Sequence, residues 1–129
     1  MKRDMDLVRL ILLEIEKYDA NSTSYESITI DGYSSGEVRE CVILLENAGM
    51  VSDTNYMMDG STFARRLTWD GYDYLDKVRD NTIWKKTKDA IKEKGLPLAV
   101  DTVKMIASAF ITAAAEGVAN SIIKNGGQL

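Results

Sequence analysis

The stretch Ser34–Asp76, SSGEVRECVILLENAGMVSDTNYMMDGSTFARRLTWDGYDYLD, constrains the fold more than any other part of the chain. From Ser35 the apolar residues fall at Val38, Cys41/Val42, Leu45 and Ala48, steps of three and four that place them on one side of a helix. Gly49 stops that helix. A short apolar run at Met50-Val51, a polar tip at Asp59-Gly60-Ser61 and a return run Phe63–Leu67 then predict two paired strands. Helix, glycine stop, hairpin and the start of another helix form the second half of a winged helix. The expected fold class is therefore mainly α with a small antiparallel sheet (α+β). A winged-helix-like domain over residues 1–95 would be followed by a C-terminal helix within 96–129.

The residues before this stretch supply the first helix and an unusual connection. Asp4 is placed to cap a helix whose apolar positions, Leu7/Val8, Ile11/Leu12, Ile15 and Tyr18, recur at helical spacing, with Arg9, Glu14, Glu16 and Lys17 on the polar side. Asp19–Glu26, DANSTSYE, is a polar loop. An ordinary helix-turn-helix would carry the first helix of its reading pair here, but no apolar repeat is present. Ser27-Ile28-Thr29-Ile30 alternates and is β-branched, which fits a short strand, a third edge strand of the sheet, closed by Asp31-Gly32.

The helix over Ser35–Ala48 is where a DNA reader would place its base contacts. Its polar side shows Glu37, Arg39, Glu40, Ile43, Glu46 and Asn47, one arginine against three glutamates. Arg39 has the chemistry to reach guanine, while its neighbours repel phosphate. On the hairpin, Met57 and Met58 near the tip suggest an adaptable apolar contact for a protein. Arg65 and Arg66 point to opposite faces of their strand, so at least one should be exposed to a phosphate or an acidic partner. Thr68 caps the next helix, in which Tyr72, Leu75, Val78/Arg79 and Trp84 read as the face packing it on the wing and the first helix. Asp70, Asp73 and Asp76 recur every three residues there, without the loop geometry of an oxygen cage, and no metal site is expected.

Residues 82–94, TIWKKTKDAIKEK, continue as a lysine-rich helix with five Lys against two acids. Lys85, Lys86 and Lys88 are its candidate contacts to phosphate or an acidic protein. Gly95-Leu96-Pro97 breaks the chain, and a last helix runs from Leu98 to Lys124. Its uncharged interval Met105–Ala115 is short for a bilayer, so no membrane is expected. Val103, Ile106, Phe110, Ala114 and Val118 lie on a wide apolar stripe that must be covered, either by folding back on the winged helix or by a second copy; self-association into a homodimer or higher oligomer is the favoured expectation.

Composition narrows the chemistry. The chain has no histidine, which removes the commonest general base and any Ser-His or Cys-His nucleophile, and with them zinc sites of the Cys/His type. Its single cysteine, Cys41, falls on an apolar helix face and reads as a buried thiol. No Gly-rich phosphate loop is present, so neither an enzyme nor a cofactor is expected. Formal net charge is −4, unevenly spread: residues 1–81 hold nine Lys/Arg against sixteen Asp/Glu, and residues 82–129 seven Lys against four acids. Affinity for DNA comes largely from cations that neutralise phosphates, and the acidic first part opposes it. The N-terminus MKRDMDLVRL does not read as a signal peptide, and the expected location is the cytoplasm.

The runs MKRDMDLVRLILLEIEKYD, GYSSGEVRECVILLENAGMV and LTWDGYDYLDKVRDNTIWKKTK, in that order, resemble a family of small uncharacterised proteins of bacteria, phages and prophages. The resemblance covers about residues 1–95 and implies a winged-helix fold. The family commonly carries histidine in the middle helix and around the glycine that matches Gly71; here Cys41 or a neighbour, and Tyr72, stand in those places. Two functions follow as expectations. The first is a DNA-binding or transcription-regulating accessory protein acting as a homo-oligomer. The alternative is a protein-binding module, for example a phage factor that binds a host protein, with the winged helix as scaffold and no DNA contact.

Overall fold

The computed structural model describes residues 1–21 and 26–124. Five helices and one two-stranded antiparallel sheet are formed among them: α1 (Met5–Glu16), α2 (Ser35–Asn47), β1 (Val51–Tyr56), β2 (Thr62–Leu67), α3 (Trp69–Val78), α4 (Asn81–Glu93) and α5 (Val100–Lys124). The protein is thus mainly α with a small sheet, and its long apolar C-terminal helix is present. It divides into two compact units, Met1–Asp76 and Lys77–Leu129. That division falls ahead of the boundary expected at 95/96, because α4 packs with α5.

In the first unit the helix ends follow local chemistry. Asp4 Oδ1 accepts from the backbone N–H groups of Asp6 at 2.9 Å and Leu7 at 3.1 Å, which satisfies donors that the first turn of α1 leaves unpaired. Its other carboxylate oxygen accepts from the Tyr33 hydroxyl at 3.0 Å and so ties α1 to the turn before α2. Ser34 and Glu37 form a full capping box: Ser34 Oγ accepts from the Glu37 N–H, and Glu37 Oε1 from the Ser34 N–H, both at 3.1 Å. Leu7, Val8, Ile11, Leu12 and Ile15 of α1 are buried, as are Val38, Cys41, Val42 and Leu45 of α2. Each large aliphatic side chain of that core stabilises the unit by roughly 1.5–3 kcal/mol. Arg9, expected on the solvent side, is 9% exposed and makes polar or electrostatic contact within the chain, as a buried guanidinium must.

Gly49, at φ +74°, turns the chain out of α2. β1 then pairs with β2 from Val51↔Leu67 to Tyr56↔Thr62. The expected third strand is reduced to a latch. The Ile28 N–H donates to the Thr62 carbonyl at 2.8 Å, and Ser27 Oγ accepts from the Thr62 N–H at 3.1 Å, but among the described residues the sheet has only β1 and β2. Of the expected polar loop Asp19–Glu26, positions 22–25 lie outside the described residues.

In the second unit a new helix begins instead of the continuation expected through Trp84. Asp80 caps it, accepting from the Ile83 N–H at 2.8 Å. α4 buries Trp84, Thr87 and Ile91, and the Thr87 hydroxyl donates to the Ile83 carbonyl at 2.7 Å. Gly95, at φ +68°, ends the turn after it. α5 buries Val103 and Ala107, with Ile106 and Phe110 half-buried; from Ile111 onward its residues are exposed except for the half-buried Ile122.

Candidate functional site

The two halves of α2 face different neighbours. One side is in the core; the other carries exposed Glu37, Glu40, Leu44, Glu46 and Asn47, with Arg39 half-buried among them. The Arg39 guanidinium donates through Nη1 to the Met57 carbonyl at 2.7 Å and lies 5.6 Å from the centre of the Tyr56 ring. Its planar fork and its π-face are both used to hold the hairpin tip against α2. A side chain so engaged would have to give up these contacts before reaching a base.

The hairpin residues fall where alternation places them. Arg66 is exposed and Arg65 half-buried. Both line a groove of about 360 Å³ with Ile15, Glu16, Tyr18, Asp19, Leu67 and Tyr72. Carboxylates stand on its α1 side and guanidinium groups on its β2 side, so it presents no uniform field to an anion. Tyr18 in its wall has its phenol pushed up to about 12, by burial first and then by Glu14 and Glu26, and stays neutral. At the tip, Met58 is wholly exposed and Met57 44% exposed.

α3 carries the residues that sequence reasoning misjudged. Tyr72 is 44% exposed instead of packed inward, Trp69 is 82% exposed, and Tyr74 is the aromatic in the core. Asp70, Asp73 and Asp76 lie exposed on the same helix. The signal that would have found this is the set Gly71, Tyr74, Leu75 and Val78, spaced i, i+3, i+4, i+7, which is the true inward face. Among the described residues no three carboxylate or thiol side chains gather into a group that would hold a metal ion. Cys41 is buried, and desolvation, with a smaller contribution from Asp4, pushes its thiol up to about 12. It is held as the unreactive thiol, since nucleophilic chemistry needs the thiolate.

In the second unit Lys85 and Lys86 are exposed, and Lys88 is half-buried with its ammonium 5.3 Å from the centre of the Trp84 ring. The unit holds nine Lys/Arg against five Asp/Glu, the first unit seven against fifteen. The expected self-association stripe is split. Val103 is buried within the unit and Ile106 and Phe110 half-buried, whereas Ala114 and Val118 are exposed. By length and composition alone α5 is long and apolar enough to cross a membrane: it has 25 residues, and its most apolar window of 18 has a mean hydropathy of 1.5 and is 6% buried.

These features define a small α+β protein of two compact units, the first acidic and the second basic. The chain belongs to the family described as Hypothetical protein (DUF2513), whose sequence model matches residues 2–97. A protein of Haemophilus influenzae described as uncharacterized is 37% identical over 114 residues, which cover 87% of this chain and 97% of that one. No solved structure matches the chain.

Proposed function

We propose that this is a winged-helix protein of the phage and prophage type that binds another protein through its first unit and works as a homo-oligomer. The observation that carries the reading is the capture of Arg39 by Met57 and Tyr56. Arg39 is the one basic residue of α2, the helix that would otherwise read bases, and what remains exposed beside it is acidic and apolar. With fifteen carboxylates against seven cations the unit repels a duplex, while Leu44, Met57, Met58 and Trp69 offer exposed apolar surface.

Self-association is assigned to the second half of α5. Ser108, Thr112, Glu116, Asn120 and Lys124 follow one another at intervals of four, so they form one polar ridge, and the ridge of Ile106, Phe110, Ala114, Val118 and Ile122 lies opposite. A helix with one wet ridge and one dry ridge suits a bundle of helices in water better than a span with lipid on every side. Against the protein reading stands one specific observation, the exposed Lys85 and Lys86 of a unit with a cationic excess, which favours DNA contact through α4 instead. A mobility shift of duplex DNA at low salt, abolished on changing Arg66, Lys85 and Lys86 to Ala, would overturn the protein-binding reading. Recovery of one stoichiometric protein partner by the full chain, with no DNA shift, supports it.

A further inference from the structure

We propose that the outer face of α3 is a docking site for an arginine- or lysine-bearing segment of a partner protein. This rests on the protein-binding reading and names its chemistry. Trp69 is 82% exposed and Tyr72 44% exposed, one helical turn apart. At about 100° per residue, Trp69, Tyr72, Asp73 and Asp76 share roughly 100° of arc, while Gly71, Tyr74, Leu75 and Val78 are buried on the other side. Asp70 borders the arc and is exposed too. The one base of α3 is Lys77, in the last turn. Tyr72 adjoins Arg65 and Arg66 in the groove they line together, so the aromatic and anionic part of the face is the side of Trp69, Asp70 and Asp73.

An indole so open to water leaves most of its apolar area out of the fold. Trp and Arg dominate the binding energy of protein interfaces. A guanidinium stacked on the Trp69 ring has Asp73 one turn along the same side, with Asp70 at the edge of the arc, so cation–π attraction and a charge-assisted hydrogen bond can act on the same group. Asp70 and Asp73 set the occupant: they repel phosphates, which disfavours nucleic acid, and a purely apolar partner would leave them buried without a counter-charge. A cation meets both halves of the surface at once. Lysines also stand on α4 of a second copy, and the test separates that source from an external one.

The full chain reports on itself, because Trp84 is 4% exposed and Trp69 is not; a blue shift of emission on binding belongs to Trp69. The chain is titrated with a short acetylated Arg-Gly repeat peptide, with a Glu-Gly repeat peptide and a short DNA duplex run beside it. The expected result is a saturable blue shift with the Arg-Gly peptide alone, and binding about tenfold weaker in Asp70→Asn/Asp73→Asn, with circular dichroism unchanged. Calorimetric titration of Trp69→Ala should show a similar loss. The proposal is overturned by the absence of a saturable shift with the Arg-Gly peptide, or by equal binding in either variant. A blue shift that grows with protein concentration and no peptide would assign the face to a second copy and overturn the external partner. Binding of the Glu-Gly peptide instead would overturn the cationic partner and leave the protein-binding reading standing, whereas binding of the duplex instead would overturn both.

Discussion

The α-carbon of Gly71 lies against the carbonyl of Met50: a β-carbon on Gly71 would overlap that oxygen and stand 3.1 Å from the carbonyl carbon. The neighbouring bonds explain the closeness. The Thr68 N–H donates to the Met50 carbonyl at 3.0 Å, the Thr68 hydroxyl donates to the Gly49 carbonyl, and the Gly71 N–H donates to Thr68 Oγ1 at 3.1 Å. The start of α3 is thereby clamped to the turn between α2 and β1. Backbone, unlike the end of a long side chain, cannot swing aside. Gly71→Ala is expected to destabilise the protein by about 3 kcal/mol, the upper range for overpacking, read as a lower urea midpoint at unchanged slope.

The same contact explains a misreading of the sequence. The positions of α1, α2 and the hairpin were legible because caps, apolar periods and glycine stops are local signals: Asp4, the Ser34/Glu37 box and Gly49 act within a few residues of themselves. Which way α3 turns is not local. Tyr72 and Tyr74 are equally good core aromatics by type, and only the docking of Gly71 on Met50 sets the phase that buries one and exposes the other. The break before α4 is a local device as well, since Asp80 accepts from the Ile83 N–H three residues on. The exposure of α5 depends on its neighbour's length. α4, with 13 residues, spans roughly 20 Å and α5, with 25, roughly 38 Å, so α4 covers only the first half of a stripe that the sequence shows as continuous.

That uncovered half yields a prediction at Gly117, where an added β-carbon meets nothing within 4 Å. A glycine inside a helix costs about 1 kcal/mol relative to alanine, so Gly117→Ala should stabilise the second unit by that amount if α5 ends in water. If a second copy packs closely on it, as proposed, the alanine gains less and a larger residue separates the copies. Sedimentation equilibrium of Gly117→Leu should then show a shift toward monomer relative to the parent chain. An unchanged association state would remove Gly117 from the interface.

Alkaline pH should unfold the chain early. Burial raises the Cys41 thiol from 9.0 to about 12, and Tyr18 and Tyr33 from 10.0 to about 12; a hydrogen bond to Asp4 adds to the effect on Tyr33. In each case the folded state holds its proton more tightly than the unfolded chain does. Stability from these groups is therefore complete below about pH 9 and is lost as pH rises toward 12, because the unfolded chain ionises first. Urea midpoints measured across that window should fall steadily, and Cys41→Ala should flatten the first part of the decline. Native Cys41 should also resist a thiol reagent at pH 8 and react on unfolding.

Arg39 is the residue whose loss separates structure from binding. Arg39→Ala removes a charge-assisted hydrogen bond to the Met57 carbonyl and a cation–π contact with Tyr56. Both are near the surface, and the expected cost is about 1 kcal/mol. The local effect should be larger than the global one. The Met57 N–H donates to the Ser61 carbonyl at 2.9 Å, closing the hairpin tip that Arg39 holds, so hydrogen exchange of the Met57 amide should speed up while buried α1 amides such as Ile11 and Leu12 keep their protection. If Arg39 were a base-reading side chain, the same substitution would instead abolish a DNA mobility shift and leave Met57 exchange as it was. The two outcomes divide a hairpin clamp from a nucleic-acid contact with a single variant.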